Sequence, residues 1–185
     1  MENNTFAKHP TFYAIGLSYK KADAAMRGKF SLDDKAKLNL LHQAKAEGLE
    51  SLIVTSTCNR TEIYGFAQHP FQLIKLLCEN SQGTVEDFQK VAFVYKNKEA
   101  ISHMFRVGTG LDSQILGDFE IISQLKNAFV QSKELNLANA FLERLVNAVI
   151  QASKKIKTDT EISSGATSVS FASVQYIFKN VEDIA

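Results

Sequence analysis

Apolar residues in the first half of the chain recur in short runs, and amphipathic stretches lie between them. Four of these runs are typical of buried strands: 12–19, 52–54, 63–66 and 91–95. Helical spacing follows Ser31 up to Gly48 and returns after Pro70, which predicts one helix in each of the two longer connections. The order of elements is then βαββαβ, the ferredoxin-like plan.

From residue 97 onward the apolar spacing is helical. Short stripes surround Ile101 and Phe129, and a long uninterrupted stripe runs through 141–156. Residues 161–170 are small and polar, and helical spacing resumes at Phe171. We therefore predict an α+β protein with three parts: a ferredoxin-like βαββαβ sandwich over 1–96, a helical subdomain over 97–160, and a linker with a helix over 161–185.

The composition of 185 residues, 45% hydrophobic and 22% charged, is that of a soluble globular protein. The net charge of +1 argues against a strongly basic nucleic-acid-binding domain, so an RNA partner would be held by shape and position. No apolar stretch approaches the roughly 18 residues of a membrane span, and residues 1–10 lack the pattern of a signal peptide. We expect a cytoplasmic protein with no membrane partner and no metal site.

The most informative segment is the decapeptide 55–64, in which Cys58 follows an apolar run and lies among hydroxyl-bearing residues. A thiolate held at the end of a strand is suited to attack a carbonyl, and Arg60 is the nearby cation that would stabilise it. The alternatives are a buried structural cysteine and a solvated surface arginine. Cys58 and Cys78 form no CxxC pair, so both are interpreted as reduced thiols.

Two further features have both a functional and a structural interpretation. His103 lies on a predicted helix that runs into the glycine-bearing stretch 108–113, where backbone can approach a ligand; alternatively, it is a partly buried structural histidine. Four basic residues mark the longest predicted helix: Arg144, Lys154, Lys155 and Lys157. These charges suit a solvated helix end, and contact with phosphate is the alternative.

Three segments together make the chain similar to the glutamyl-tRNA reductases, the family that catalyses the first step of the five-carbon route to tetrapyrroles. Residues 56–64 match the family's nucleophile motif, and 103–107 followed by 110–117 resemble its second signature. Residues 158–162 with 168–170 resemble a third. The resemblance runs over nearly the whole chain, and the order of the motifs is specific.

The resemblance implies a role for each matching residue. Cys58 is the nucleophile that attacks the ester of glutamyl-tRNA to give a glutamyl thioester, and His103 matches the histidine that the family needs for activity. Arg60 is expected to clamp a carboxylate of the glutamyl group in a bidentate pair. The substrate-binding positions are Thr57, Asn59, Arg60, Ser113, Asp118, Phe119, Glu120 and Gln124.

Two segments depart from the family's pattern. The family usually has Gly-Glu-Pro-Gln-Ile where this chain has Gly-Asp-Phe-Glu-Ile at 117–121, which weakens the match at three substrate-binding positions. The loop after the first strand reads Ser-Tyr-Lys at 18–20, where Asn-His-Lys is common. A histidine-dependent role of that loop is therefore not expected, while Lys20 and Arg27 keep their places.

The resemblance also implies a cofactor and partners. In the family, hydride from NADPH reduces the thioester to glutamate-1-semialdehyde, but no glycine-rich dinucleotide loop follows any predicted strand here. We therefore expect a catalytic-domain fragment that lacks the NADPH-binding domain and the C-terminal domain through which the full-length enzyme forms a homodimer. Glutamyl-tRNA is the expected partner, and the downstream aminomutase is a further candidate.

Two other functions fit the same residues. A ferredoxin-like sheet with Phe- and Tyr-bearing strands can serve as a binding module for RNA or a small molecule. The second function is that of a redox sensor, in which oxidised Cys58 forms a disulfide with the resolving cysteine Cys78. The reductase needs Cys58 alone, the sensor needs both cysteines, and a binding module tolerates Cys58→Ser.

Overall fold

The computed structural model describes residues 9–118, 120–160 and 162 of the protein. Over these residues the chain has an α+β fold with one four-stranded antiparallel sheet and seven helices. The strands are β1 (Thr11–Ser18), β2 (Leu52–Ser56), β3 (Arg60–Ala67) and β4 (Phe93–Lys96). The helices are α1 (Ala24–Lys29), α2 (Asp34–Ala46), α3 (Pro70–Glu79), α4 (Val85–Val91), α5 (Lys98–Gly108), α6 (Glu120–Glu134) and α7 (Ala140–Asp159).

The strands lie in the order β2-β3-β1-β4, and each neighbouring pair is antiparallel. Strands β2 and β3 form a hairpin, whereas β1 pairs along its whole length with β3, from Thr11 opposite Ala67 to Ser18 opposite Arg60. All four predicted strands are confirmed, although the third is longer at both ends and the fourth begins only at Phe93.

The helices predicted in the two longer connections are confirmed as α2 and α3, but each connection contains a second helix that was not predicted. The additional helices α1 and α4 are short and begin at side-chain caps. Asp23 accepts a hydrogen bond from the Met26 amide at 2.7 Å, and Thr84 accepts one from the Asp87 amide at 3.1 Å. Helix α1 buries none of its residues, so no apolar stripe indicates it in the sequence.

One face of the sheet is covered by α2, α3 and α4. Side chains of these helices, including Leu41, Leu73 and Phe88, form a continuous core with the sheet, and each of the three is at most 2% exposed. Ile15 and Leu17 of β1 are fully buried in the same core. Removal of these apolar side chains from water is the main contribution that holds the layer together.

The other face is covered by α5, α6 and α7, the three helices predicted within 97–160. Ile53 of β2 and Tyr64 of β3 are buried in one cluster with Met104 and Val146 from these helices. The helices therefore share their core with the sheet. None of the described helices is long and apolar enough to cross a membrane. Apart from residue 162, the predicted linker and helix over 161–185 lie outside the described residues.

Candidate active site

The β2–β3 connection is a tight turn with Cys58 at its tip. The Thr57 amide donates to the Arg60 carbonyl at 2.8 Å, and the Thr57 hydroxyl accepts from the Asn59 and Arg60 amides, both at 3.2 Å. Arg27 holds the turn from outside, because its Nε donates to the Cys58 carbonyl at 2.9 Å. These bonds fix the backbone while Cys58 stays exposed, so the interpretation as a buried structural cysteine is wrong.

The second wall of the site comes from the loop between α5 and α6. Gly110 and Gly117 have φ angles of +73° and +82°, a conformation that glycine adopts without strain. The Gly117 amide donates to the Gly110 carbonyl at 3.1 Å, which closes the loop on itself. The Asp118 carboxylate accepts from the Glu120 amide at 3.0 Å, where α6 begins. The closed loop and the first turns of α6 thereby face the β2–β3 turn.

A pocket, called here the Cys58 pocket, opens between the turn and this loop. Its lining consists of Thr57, Cys58, Asn59, Arg60, Ser113, Gln114, Asp118, Glu120, Ile121 and Gln124. The structure therefore brings together Cys58 and every predicted substrate-binding residue that it describes, while Phe119 lies outside the described residues. Gln114 and Ile121 were missed by the sequence analysis, although each adjoins a predicted position in the chain.

Arg60 is only 3% exposed, and two carboxylates hold its guanidinium. Its Nη1 donates to Glu62 Oε1 at 2.9 Å, and its Nη2 donates to the Asp112 carbonyl and, at 3.1 Å, to Asp112 Oδ1. Burial lowers the pKa of an arginine, but the charges of Glu62 and Asp112 raise the pKa of Arg60 above its ordinary value. The interpretation as a solvated surface arginine is wrong, and the expected substrate clamp stays a prediction.

Glu62 is fully buried, and three side chains surround its carboxylate. Besides Arg60, the Tyr64 hydroxyl donates to Oε2 at 2.5 Å, and His103 Nε2 lies 3.1 Å from Oε1. Burial raises the pKa of a carboxyl group, but the hydrogen bond to His103 and the charge of Arg60 keep the pKa of Glu62 below its ordinary value. Burial, the larger effect, and the charge of Glu62 both raise the pKa of Tyr64 well above its ordinary value. The Tyr64 hydroxyl therefore stays protonated.

The sequence analysis missed Glu62 and Tyr64 as members of the site. The available signal is their alternation with Arg60, because a strand places residues i, i+2 and i+4 on one face. A charged residue in alternation with a buried aromatic residue indicates a buried charge that needs a partner. The alternation does not indicate which residue that partner is.

His103 does not line the Cys58 pocket. It is 3% exposed on α5, with the ring centroids of two aromatic side chains at 4.6 and 5.1 Å. It lines a separate small cavity, whose other members include Lys20, Phe93, Tyr95 and Asp112. Its contacts connect it to the Cys58 pocket through Glu62 and Arg60, and its role in activity stays a prediction.

Asp112 connects these side chains to the loop after β1. Its Oδ2 accepts from Lys20 Nζ at 2.5 Å, while its Oδ1 accepts from Arg60. Burial raises the pKa of a carboxyl group, but Lys20 and Arg60 lower the pKa of Asp112 below its ordinary value. Lys20 of that loop and Arg27 of α1, the two positions after β1 that keep the family's pattern, thus both contact the site.

Comparison with known proteins identifies the family. Residues 15–160 match the family described as glutamyl-tRNAGlu reductase, N-terminal domain. The chain belongs to this family. The matched range contains every residue described above in the Cys58 pocket and around Glu62.

Relatives named glutamyl-tRNA reductase align along the whole chain. The one from Flavobacterium psychrophilum is 82% identical over 184 residues, and the one from Christiangramia forsetii is 72% identical over 185 residues. Each alignment covers 100% of this chain but only 45% and 44% of these relatives, so the chain spans less than half their length. The solved structure titled glutamyl-tRNA reductase from Methanopyrus kandleri shares the fold, with a TM-score of 0.72 at 24% identity over 91% of this chain and 39% of that one.

A second, basic groove lies between α6 and α7, with a volume of about 310 Å³. It is lined by Ile122, Ser123, Lys126, Ile150, Ser153, Lys154 and Lys157. Lys154 and Lys157 belong to the basic residues singled out in the sequence, and Lys126 adds a charge from the neighbouring helix. Packing of α6 against α7 therefore gathers lysines from distant parts of the sequence.

We expect Cys58 to be alkylated at least about ten times faster than Cys78 in the folded protein at neutral pH. Cys58 is exposed at the turn, whereas Cys78 is half-buried in α3. Burial, the largest effect, and the charges of Glu86 and Glu79 raise the pKa of Cys78. A smaller fraction of Cys78 is therefore thiolate at neutral pH. Labelling with iodoacetamide followed by peptide mapping measures both rates in one sample.

Unfolded protein provides the matched control for this experiment. Both cysteines should then react at similar rates, since the difference comes from the folded environment. Equal rates in the folded protein, or a faster Cys78, would contradict an accessible nucleophile at Cys58.

Proposed function

We propose that this chain is the part of a glutamyl-tRNA reductase that binds the glutamyl end of the charged tRNA and forms the covalent intermediate. The observation that carries the proposal is the Cys58 pocket, where an exposed thiol meets one arginine and two carboxylates. Membership of the family supports the same function. The reaction is the first step of tetrapyrrole biosynthesis by the C5 pathway.

The Cys58 thiolate attacks the carbonyl carbon of the ester that joins glutamate to the terminal ribose of the tRNA. A C–S bond forms, the ester C–O bond breaks, and the ribose oxygen leaves after it takes up a proton. The products are free tRNA and a glutamyl thioester on Cys58. A thioester is easier to reduce than an ester, which favours cysteine over a hydroxyl nucleophile.

The charges of the pocket suit a glutamyl group, which has a side-chain carboxylate and a free α-ammonium group. Arg60 supplies a planar cation for the carboxylate. Its guanidinium has more N–H donors than its bonds to Glu62 and Asp112 use, so some remain for a substrate. Asp118 and Glu120 supply carboxylates for the ammonium group. The remaining polar side chains that line the pocket are Thr57, Asn59, Ser113, Gln114 and Gln124.

NADPH is the reductant that the family resemblance assigns to the second half of the reaction. The described residues do not fit it, because no glycine-rich loop follows any of their strands. Among these residues there is also no group of three or more His, Cys, Asp and Glu side chains placed to hold a metal ion. Reduction to glutamate-1-semialdehyde, a homodimer formed through a C-terminal domain and contact with the downstream aminomutase are proposed for a longer protein.

We also infer that the sheet and the helices α2 and α3 follow the ferredoxin-like plan. The sheet order β2-β3-β1-β4 and the position of both helices on one face support it. On this plan, residues 1–96 form the α/β unit that bears the nucleophile. Residues 97–160 then complete the catalytic domain, and residues 161–185 lead towards a cofactor domain.

Incubation with glutamyl-tRNA, followed by mass spectrometry of the intact protein, tests the proposed function. We expect the mass of one glutamyl group to be added at Cys58, and hydroxylamine, which cleaves thioesters, to remove it. The adduct should form without NADPH, and no semialdehyde should appear when NADPH is added. Folded protein that leaves glutamyl-tRNA intact would contradict the proposal, and so would an adduct on another residue.

We expect the double substitution Lys126→Ala, Lys154→Ala to weaken tRNA binding and to reduce its salt dependence. Ammonium groups that contact phosphates displace counterions, so the loss of two contacts should lower the slope of log K against log salt by about 1.4 to 1.8. Titration of labelled tRNA at several salt concentrations measures both quantities.

The double substitution Lys35→Ala, Lys90→Ala is the matched control. Both lysines are exposed, and they lie on α2 and α4, which cover the other face of the sheet. This variant should keep the slope of the parent protein. Equal slopes in the two double variants would favour the solvated helix end over a phosphate contact in the basic groove.

A further inference from the structure

Glu62 has a position that the chemistry at Cys58 does not explain. Its side chain is 0% exposed and does not line the Cys58 pocket. Desolvation of an isolated carboxylate is costly, and hydrogen bonds from Arg60, Tyr64 and His103 offset this cost. A residue that is buried and bonded in this way acts through its partners.

Strand β1 leaves space for this side chain. Gly16 lies opposite Glu62 in the register of β1 and β3. A Cβ atom at Gly16 would be 2.9 Å from Glu62 Cγ, closer than packed carbon atoms approach, and would also collide with the Thr61 carbonyl. The absence of a side chain at Gly16 therefore permits the observed position of the Glu62 carboxylate.

The proton position on His103 follows from its partner. An ionised carboxylate only accepts hydrogen bonds, so Nε2 carries the proton in the contact between His103 and Glu62. The Nδ1 atom is buried and has no hydrogen-bond partner among the described residues. His103 is thus a donor to Glu62, and its contacts do not include the Cys58 thiol.

Arg60 connects Glu62 to the Cys58 pocket. Glu62 Oε1 accepts from both His103 Nε2 and Arg60 Nη1. Arg60 lines the pocket, and its Nη2 is bonded to Asp112 on the loop that forms the opposite wall. Because each carboxylate binds a different nitrogen, the plane of the guanidinium cannot rotate while both contacts are in place.

We propose that Glu62 is a positioning residue that fixes the plane of the Arg60 guanidinium at the wall of the Cys58 pocket, while His103 and Tyr64 hold Glu62 in place. The inference rests on the proposed function of that pocket. It gives His103 an indirect role in activity, through its contact with Glu62 and the contact of Glu62 with Arg60. A buried ion pair that served stability alone would have no effect on the affinity for substrate.

Kinetics of thioester formation by Glu62→Gln provide the first test. This substitution keeps the size of the side chain and removes its charge. We expect the glutamyl-tRNA concentration for half-maximal rate to rise at least about tenfold, with a smaller change in the maximal rate, because a misplaced Arg60 binds ground state and transition state equally poorly. Glu62→Asp, which keeps the charge, should recover part of the affinity.

Glu143→Gln is the matched control for these measurements. It also removes a carboxylate, but from an exposed ion pair with Lys133, whose Nζ lies 2.6 Å from Glu143 Oε1. This variant should have the kinetics of the parent protein, since surface ion pairs contribute little.

Side-chain ¹⁵N NMR of the protein gives a measurement that does not depend on activity. We expect His103 in the Nε2–H tautomer and separate, slowly exchanging Nη signals for Arg60. In Glu62→Gln, the Arg60 signals should average, because a neutral amide oxygen holds the guanidinium more weakly than a carboxylate does, and Asp112 is then its only anionic partner.

Unchanged half-maximal concentration and maximal rate in Glu62→Gln would overturn the proposal, and so would a loss of stability with unchanged kinetics of the folded protein. If the variant does not fold, averaged Arg60 signals or an Nδ1–H tautomer of His103 in the parent protein would overturn it. If the parent protein forms no thioester, the proposed function fails, and the NMR measurements still decide whether Glu62 fixes Arg60.

Discussion

Cys58→Ser should keep the fold of the parent protein and lose thioester-dependent deacylation of glutamyl-tRNA by at least about a thousandfold. A serine hydroxyl is not ionised at neutral pH and attacks an ester poorly without a base beside it. Cys58 is exposed, and the turn is held by Thr57 and Arg27, so the substitution removes no core contact. Single-turnover deacylation and thermal melting of the same sample measure the two effects.

Cys78→Ser is the matched control, and together the two variants separate the three functions considered from the sequence. A reductase loses activity in Cys58→Ser and keeps it in Cys78→Ser. A redox sensor loses its response in both variants, and a binding module binds its ligand equally well in both. Deacylation by Cys58→Ser at the parent rate would show that the nucleophile is another group.

Arg60→Met should lower the free energy of unfolding by about 3–5 kcal/mol at neutral pH. The substitution leaves the carboxylates of Glu62 and Asp112, whose side chains are 0% and 8% exposed, without their shared cation. An uncompensated buried charge costs far more than the loss of a surface ion pair. Urea denaturation followed by circular dichroism measures the difference from the parent protein.

The difference in the free energy of unfolding between Arg60→Met and the parent protein should become smaller in acid. Folding lowers the pKa of Glu62 and of Asp112. Their ionised carboxylates therefore contribute to stability above the ordinary carboxyl pKa of about 4. This contribution is lost as the pH falls through the lower pKa values of the folded protein. Arg144→Met, on the exposed surface of α7, is the control and should change stability by less than about 0.5 kcal/mol. Equal stability of the two variants at neutral pH would show that the buried carboxylates do not depend on Arg60.

The apolar spacing located all four strands and the long helices, because a buried face recurs with the period of its element. It missed α1 and α4, which begin at the caps Asp23 and Thr84 and bury few or none of their residues. For α1 the absence of any buried residue explains the failure, since a helix without a buried face has no apolar period.

Apart from Cys58 and Arg60, which the pattern of residues 55–64 indicates, the members of the Cys58 pocket were predictable only through the resemblance to the family. The turn at 57–59 and the segment 113–124 are far apart in the chain, and no periodicity indicates that they meet. They meet because α6 packs on the sheet and the loop before it closes through Gly110 and Gly117. Packing of this kind depends on the whole core.

The sequence by itself determined the order of the four strands and the longer helices, the turn that carries Cys58 and the family. Only the tertiary structure decided that Arg60 is buried, that Glu62 connects it to His103, and that His103 lies outside the Cys58 pocket. The physical reason is that local patterns report which face of an element is buried. The partner of a buried charge is set by the packing of distant elements, here β3 against α5 and against the loop before α6.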